Sequence, residues 1–189
     1  MTTHVPSRPA QLLDAEAVGR SLSRIAHEVI ERNADLENVA LVGIHTRGLP
    51  LARRLRALVR ERSGVELDLG ALDITHHRDD GPRRRHAVLH ATELDFRVDG
   101  RTCILVDDVL YTGRTVRAAM DALLEHGRPA RIQLAVLADR GHRELPIRPD
   151  YVGKNLPTAP DERVQVELVE TDGADRVLLL PATGGEARP

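Results

Sequence analysis

The chain has 189 residues, of which 41% are hydrophobic and 30% are charged, a balance typical of one folded globular domain. The net charge of −2 excludes a bulk polycation, so any site for an anion must be local. The single cysteine, Cys103, excludes an internal disulfide and a cysteine-rich zinc site. No apolar run approaches ~18 residues and no signal-peptide stretch opens the chain, so we expect a cytoplasmic protein without a membrane partner.

Predicted strands and helices alternate along the chain. In order, they are a helix over 14–33, a strand over 39–44, a helix over 49–62, a strand over 66–75, a loop over 76–87, a strand over 102–106, a helix over 113–125, a strand over 131–138, and short strands near 151, over 164–169 and over 177–180. Apolar residues at helical spacing indicate the helices, and short apolar runs indicate the strands. Asp14 is expected to cap the first helix, and Pro50 suits the first turn of the second.

This alternation predicts βαβ units, which build a mainly parallel sheet with right-handed crossovers. The expected fold is therefore α/β, with an open sheet flanked by helices in a single domain over residues 12–181. Residues 1–11 and 182–189 are polar or rich in glycine and proline, so we expect disordered tails there. In open parallel sheets the ligand lies beyond the carboxyl ends of the strands. This rule selects three loops, which follow Ile44, Thr75 and Val106.

The most informative stretch covers residues 104–115, which read Ile-Leu-Val-Asp-Asp-Val-Leu-Tyr-Thr-Gly-Arg-Thr. A buried strand brings the carboxylates of Asp107 and Asp108 to the sheet edge, and a turn containing Gly113 then opens a helix. Carboxylates accept hydrogen bonds from sugar hydroxyls, and N–H groups at a helix start bind phosphate. The combination suits a phosphorylated sugar, whereas each short piece alone fits an ordinary capped connection. The Gly-Lys-Ser/Thr ending of a Walker A loop is absent.

Two neighbouring loops carry further polar residues. Arg47 follows the first strand, and its rigid guanidinium suits a pyrophosphate, although a surface arginine before a helix is also common. Gly48 opens the backbone at the start of that helix. The stretch 72–86 leads out of the strand over 66–75 into the polar and charged loop over 76–87, which is also typical of a solvated hairpin. His76 and His77 have no second His or Cys cluster at ligand spacing, so a zinc site is not expected.

The stretch 104–115 resembles the signature of the type I phosphoribosyltransferases, which bind phosphoribosyl pyrophosphate. The resemblance implies that Asp107 and Asp108 hold the ribose hydroxyls and, with Arg47, form the catalytic set. The implied substrate site comprises Thr46, Arg47, Gly48, Arg78, Asp107, Asp108, Tyr111, Thr112, Gly113, Arg114 and Thr115. It also implies a cis Thr46–Arg47 peptide and a flexible lid over the reacting centre. Mg²⁺ would be held mainly by substrate oxygens, with Asp107 and Asp108 as its candidate protein ligands.

Residues 23–32 and 139–158 are similar to the bifunctional PyrR family, which combines pyrimidine operon regulation with uracil phosphoribosyltransferase activity. This likeness implies conversion of uracil and phosphoribosyl pyrophosphate to UMP and pyrophosphate. It implies a small hood built from the N-terminal and 140–180 segments. Uracil would be read by backbone groups near Asp139 and Arg140, a segment with no aromatic residue beside it in the sequence until Tyr151. The lid departs from the family at His76-His77, which replaces its usual Leu-Tyr-type pair.

The same resemblance implies UMP-dependent binding to a stem-loop in the pyrimidine mRNA leader, with UMP or UTP as the regulatory nucleotide. The matching positions are Ser23, Arg24, His27, Arg32, His142, Arg143, Arg148 and Lys154. Cationic side chains suit phosphate and 2′-OH contacts, whereas Arg24 and His27 also fit an ordinary solvated helix edge. With only three aromatic residues in the chain, base stacking of the RRM or OB-fold type is excluded. The family also implies a homodimer or a dimer of dimers.

Two other functions fit part of the pattern. One is a regulator that senses a nucleotide without catalysis, and the other is a salvage enzyme for another base. The adjacent Asp107 and Asp108, together with Arg47, favour catalysis. The segment 142–154 argues against a purine enzyme.

Overall fold

The computed structural model describes residues 9–74 and 92–181, which fold into two sheets and their flanking helices. In chain order the elements are β1 (Ala10–Leu13), α1 (Ala15–Arg32), β2 (Val39–Ile44), α2 (Gly48–Ser63), β3 (Asp68–Leu72), β4 (Thr102–Leu110), α3 (Arg114–Glu125), β5 (Arg131–Asp139), β6 (Tyr151–Asn155), β7 (Arg163–Glu167), α4 (Val169–Asp172) and β8 (Arg176–Leu180). None of these helices is long and apolar enough to cross a membrane. The lid expected over 76–87 and both expected tails, apart from residues 9–11 of the first, lie outside the described residues.

The larger sheet has the strand order β3-β2-β4-β5-β6, and every neighbouring pair is parallel. Parallel strands joined by helices are the α/β arrangement that the alternating pattern predicted, and that prediction is confirmed. Because all five strands run the same way, the loops that follow β2, β4 and β5 leave from one edge.

Helices cover both faces of this sheet, which explains why its strands are almost continuously apolar. Leu41 of β2 and Ile104 of β4 belong to the core that includes α1 and α2. Their neighbours Val42 and Leu105 belong to the core that includes α3. Adjacent residues of a strand point to opposite faces. A strand that is covered on both faces therefore has no solvent-facing position for a polar side chain. All six residues of β2 are buried.

The smaller sheet is antiparallel, with the order β1-β8-β7. It joins the N-terminal strand to two C-terminal strands, which belong to the segments expected to build the hood. The expected hood segment 140–180 was too long, because residues 151–155 pair with β5 and form an edge strand of the larger sheet. Leu13, Val166 and Val177 bury their side chains in the same core as α1 and α2. The hood, defined here as β1, β7, α4 and β8, therefore packs against the α1–α2 side of the larger sheet.

Four predicted boundaries were wrong. The strand expected over 66–75 covers only Asp68–Leu72, because its pairing partner β2 runs from Val39 to Ile44 and the last register pair is Ile44 with Leu72. The disordered tail predicted over 1–11 was too long, because Ala10 and Gln11 belong to β1 and pair with β8. The strand expected to end at Val106 continues to Leu110, because its last residues stay in register with β5. The strand expected over 164–169 ends at Glu167, because the Asp172 carboxylate accepts from the backbone N–H of Leu168, at 3.0 Å, and turns the chain into α4.

Candidate active site

The carboxyl ends of β2 and β4 bring the two most informative loops side by side. Gly43 of β2 is the register partner of Val106 of β4, so the turn 45–47 begins beside the Asp107-Asp108 pair. A Cβ atom on Gly48 would lie 2.2 Å from the carbonyl oxygen of Val106. No side chain fits there, so glycine is what allows the start of α2 to touch β4. The structure thus gives Gly48 a packing role at the site, in addition to the backbone opening expected from the sequence.

Asp107 and Asp108 are held close to their own backbone. The Asp107 carboxylate accepts from the N–H of Asp108 at 2.9 Å, and the Asp108 carboxylate accepts from the N–H of Val109 at 2.7 Å. Asp107 is buried, with 7% of its surface exposed. Burial raises the pKa of Asp108, and the N–H of Val109 and the charge of Arg47 oppose this effect. A cation that approaches this pair would therefore stabilise the ionised form of Asp108.

The donor set fits Mg²⁺ that is shared with a substrate. Mg²⁺ prefers hard oxygen ligands, keeps several waters, and commonly binds one or two carboxylates together with substrate phosphates. Asp107 and Asp108 provide two such carboxylates at adjacent positions. Within residues 9–74 and 92–181, no group of three or more His, Cys, Asp or Glu side chains is arranged to hold a metal ion by itself.

The turn between β4 and α3 has the geometry expected of a phosphate loop. Gly113 has φ +95° and precedes the first residue of α3, a left-handed conformation that favours glycine. The Thr112 hydroxyl accepts from the N–H of Arg114 at 3.3 Å. The N–H groups of a first helical turn have no intrahelical acceptor, so this turn can bind an anion.

Residues of the segment 139–147 form hydrogen bonds to this turn. The Thr112 carbonyl accepts from the N–H groups of Glu144 and Leu145, at 3.0 and 3.2 Å. The Arg114 guanidinium donates to the Glu144 carboxylate at 2.8 Å. Arg143 donates to the Tyr111 carbonyl at 2.9 Å and to the Asp139 carboxylate at 2.5 Å. The turn between β4 and α3 is therefore held in place by several side-chain and backbone contacts.

An aromatic ring lies against the segment expected to read the base. The Arg140 guanidinium carbon lies 4.1 Å from the centroid of the Tyr111 ring. The Arg140 guanidinium also donates to the Thr158 hydroxyl at 3.2 Å and to the Ala159 carbonyl at 3.0 Å. The expectation that no aromatic residue accompanies this segment was wrong, because the fold brings Tyr111, in the turn after β4, against Arg140. Residues 111 and 140 are far apart in sequence, which is why the local pattern missed the contact.

Arg47 lies between the hood and the carboxylate pair. Its Nε and Nη2 atoms donate to the Asp172 carboxylate at 3.1 and 2.7 Å. These bonds raise the pKa of Arg47, and the charge of Asp108 contributes in the same direction. The guanidinium in turn holds the pKa of the Asp172 carboxyl well below its usual range. Sequence reasoning missed Asp172, since a Thr-Asp-Gly sequence is typical of any turn.

The cis peptide bond in this turn joins His45 to Thr46. The expected position, Thr46–Arg47, was wrong by one residue. The N–H of His45 still donates to the Leu72 carbonyl of β3, at 3.0 Å, so the chain leaves the sheet directly after His45. Arg78, the other expected pyrophosphate partner, lies outside the described residues.

Helix α1 and strand β6 bring together part of the expected RNA-binding set. Arg24 donates to the carbonyls of Val152, at 3.0 Å, and of Gly153. Arg32 donates to the Asp150 carbonyl at 2.8 Å and lies over the Tyr151 ring. Both arginine side chains remain 55% exposed.

The other expected RNA-binding residues differ in their hydrogen-bond partners and in exposure. His27 pairs with Glu31 at 3.3 Å, and the Ser23 hydroxyl accepts from Arg62. Arg148 and Lys154 are exposed. His142 bonds to the Thr158 carbonyl at 2.7 Å, so His142 and Arg143 belong to the segment that supports the phosphate turn.

Comparison with known proteins identifies the class to which this fold belongs. Residues 10–171 match the family model described as a phosphoribosyl transferase domain. The hypoxanthine phosphoribosyltransferase of Trypanosoma cruzi has the same fold, with a TM-score of 0.68 at 16% identity, over 91% of this chain and 96% of that one. These two findings define the class, a phosphoribosyltransferase of type I fold, and confirm the predicted fold.

Curated relatives identify the family within this class. A bifunctional protein PyrR from Deinococcus deserti is 61% identical over 171 residues, which cover 90% of this chain and 93% of the relative. Another, from a Roseiflexus species, is 58% identical over 175 residues, which cover 92% and 96%. The chain therefore belongs to the bifunctional PyrR family of phosphoribosyltransferases, as the sequence resemblance predicted.

Replacing Gly48 by alanine tests the contact between α2 and β4. Because the new methyl group would meet the Val106 carbonyl, we expect Gly48→Ala to lower the free energy of unfolding by about 1–3 kcal/mol. The matched control is Gly19→Ala in α1, where a Cβ meets nothing within 4 Å and alanine should stabilise the helix by about 0.5–1 kcal/mol. Urea unfolding of both variants measures the difference. Equal stability of the two variants would contradict the contact.

Proposed function

We propose that this protein transfers the phosphoribosyl group of phosphoribosyl pyrophosphate to uracil, and that it regulates pyrimidine biosynthesis genes by UMP-dependent binding to an mRNA leader. Membership of the bifunctional PyrR family supports both activities. The observation that carries the enzymatic part is the convergence of Arg47, the Asp107-Asp108 pair and the 111–115 turn at one edge of the sheet. We expect the protein to work in the cytoplasm as a homodimer or a dimer of dimers.

The proposed reaction forms one bond and breaks another at the ribose C1 carbon. Uracil N1 bonds to C1, the bond from C1 to the pyrophosphate oxygen breaks, and the N1 proton is released. As the leaving group departs, positive charge develops on the ribose ring. Asp107 and Asp108 accept hydrogen bonds from the ribose hydroxyls and stabilise this charge electrostatically. Mg²⁺, when bound with the substrate, neutralises charge on the pyrophosphate.

Each end of the substrate has its own group of donors in this proposal. The N–H groups at the start of α3, with the hydroxyls of Thr112 and Thr115, bind the 5′-phosphate. Arg47 binds the leaving pyrophosphate, as a guanidinium suits its charge and geometry. Arg78 remains a predicted second partner.

Uracil is proposed to lie beyond the carboxyl ends of β4 and β5, near Asp139 and Arg140. Both side chains are occupied, since Asp139 accepts from Arg143 and Arg140 donates to Thr158. The backbone here is bonded as well, since the N–H of Arg140 donates to the Leu110 carbonyl at 3.1 Å and the Asp139 carbonyl accepts from the N–H of Leu156 at 2.7 Å. Backbone carbonyls, which keep a second lone pair, are the proposed contacts for the polar edge of the base. The exposed part of the Tyr111 ring offers an apolar surface beside them.

The enzymatic proposal predicts UMP formation that depends on Asp108. Protein incubated with labelled uracil, phosphoribosyl pyrophosphate and Mg²⁺ should form UMP. Asp108→Asn should lower kcat by about 10²-fold or more, because one charge that stabilises the transition state is lost. The matched control is Asp121→Asn on the exposed side of α3, which should leave kcat unchanged.

Three results would count against this account. Absence of UMP above background would refute the activity, and turnover of hypoxanthine in place of uracil would indicate a salvage enzyme for another base. Unchanged kinetics in Asp108→Asn would refute the assigned role of the carboxylate.

The regulatory part of the proposal rests on basic side chains of α1, β6 and the segment 140–150. On α1, the Glu28 carboxylate lies 3.7 Å from the guanidinium groups of both Arg24 and Arg32. The exposed side chains of Arg24, Arg32, Arg148 and Lys154 suit the backbone of a folded RNA. Ser23, His27, His142 and Arg143 complete the proposed set. Residues 140–150 connect the proposed base site to β6, so one segment borders both ligands. Nucleotide binding can thereby change the affinity for RNA, which is a coupling free energy between two sites.

This coupling predicts that UMP tightens binding to the cognate leader in a gel shift. Lys154→Ala should weaken binding and reduce the slope of log K against log salt by roughly 1, since one phosphate contact is lost. It should not change uracil turnover. Arg97→Ala is the control, because Arg97 is exposed and its neighbour Phe96 packs against Gly70 of β3, the strand at the other edge of the sheet from β6. Equal weakening in both variants, or no effect of UMP, would contradict the proposed surface.

A further inference from the structure

The hood contacts the start of α2 through a cluster of ion pairs, which we call the hood clamp. Its members are Arg47, Arg54, Glu170, Asp172 and Asp175. Arg54 donates to Glu170 at 2.8 and 2.5 Å and to Asp175 at 2.9 and 2.8 Å. Among the acidic residues of the hood, Arg47 forms an ion pair only with Asp172. The clamp thus has two parts, one that holds α2 and one that holds a residue of the candidate active site.

Asp172 presents a fixed negative charge to Arg47. One oxygen of its carboxylate accepts from the N–H of Leu168 at 3.0 Å and from the Thr171 hydroxyl at 2.6 Å. The Asp172 side chain is only 21% exposed. Together with Arg47, these donors lower the pKa of Asp172, so its carboxylate stays ionised at neutral pH.

The guanidinium of Arg47 is oriented by this contact. A guanidinium has five N–H donors in one plane, and the Nε–Nη2 edge of Arg47 faces Asp172. Its remaining donors, including both of Nη1, are not used by Asp172. Since the charge of Asp108 also acts on Arg47, the guanidinium lies within electrostatic reach of the carboxylate pair.

We propose that Asp172 is a positioning residue, which holds the Arg47 guanidinium ready to bind the pyrophosphate of the substrate. This inference rests on the proposed function, in which Arg47 is the pyrophosphate partner. A side chain that is ordered before binding loses less freedom when the ligand arrives, and so binds more tightly. The alternative, in which Asp172 competes with pyrophosphate for Arg47, predicts the opposite effect on affinity. The bidentate contact favours positioning, because it occupies only one edge of the guanidinium.

Asp172→Asn tests the proposal, because it removes the charge and keeps the size of the side chain. We expect the Kd for pyrophosphate with Mg²⁺, measured by calorimetry on the full chain, to rise about tenfold. The KM for phosphoribosyl pyrophosphate should rise in parallel, while kcat at saturation changes less than about twofold, as expected when a binding contact is lost. Thr171→Val, which removes one hydrogen bond to Asp172, should weaken binding in the same direction by a smaller factor. It provides the test if Asp172→Asn fails to fold.

Asp175→Asn is the matched control, because it makes the same change in the same clamp at a carboxylate that accepts from Arg54 and from the backbone N–H of Val169, and not from Arg47. We expect no change in the Kd for pyrophosphate, and equal weakening in both variants would overturn the proposal. Tighter binding in Asp172→Asn would overturn it in favour of competition. In an Arg47→Ala background, Asp172→Asn should have no further effect.

The Arg47→Ala variant separates this inference from the proposed function. If Arg47→Ala weakens pyrophosphate binding and Asp172→Asn does not, the positioning role is wrong and the assignment of Arg47 stands. If Arg47→Ala leaves binding unchanged, the assignment of Arg47 itself is wrong, and the positioning role falls with it.

Discussion

The parallel pairing of β2 with β4 determines where every other part of the candidate site can lie. Gly43 stands opposite Val106 in the register, and the absence of a side chain at Gly48 lets α2 begin against the backbone of β4. The turn that carries Arg47 therefore starts beside Asp107, and the phosphate turn follows a few residues further along β4. Donors for two anionic groups and acceptors for a sugar meet at one sheet edge, which is the arrangement that a phosphoribosyl substrate requires.

The sequence was sufficient for the parts of this arrangement that depend on local pattern. The apolar run of β2 and the helical spacing in α1 and α3 are signals carried within one element, and the structure confirms these elements. The Asp-Asp pair and the Thr-Gly-Arg-Thr turn are also contiguous, so their place at a strand–helix junction could be inferred without coordinates. Their role in phosphoribosyl transfer came from family resemblance, which the comparisons support.

Features that depend on distant contacts were missed for a physical reason. Asp172 reaches Arg47 only because the hood sheet returns the C-terminal segment to α2, and no local pattern marks that return. The stacking of Arg140 on Tyr111 likewise needs β4 and β5 to be neighbours. Arg24 and His27 both fitted an ordinary helix edge in the sequence. In the structure His27 pairs with Glu31 one turn away, whereas Arg24 donates to backbone carbonyls of β6 and so joins α1 to that strand.

A crystal structure of the protein with UMP would show whether one sheet edge binds all three parts of the product, because UMP carries the base, the ribose and the 5′-phosphate together. We expect phosphate oxygens about 2.7–3.2 Å from N–H groups of residues 112–115, with the ribose hydroxyls on Asp107 and Asp108. We further expect the base beyond β5, near Asp139 and Arg140. UMP bound with its phosphate away from the 111–115 turn, or with its ribose away from the carboxylate pair, would contradict the proposed site.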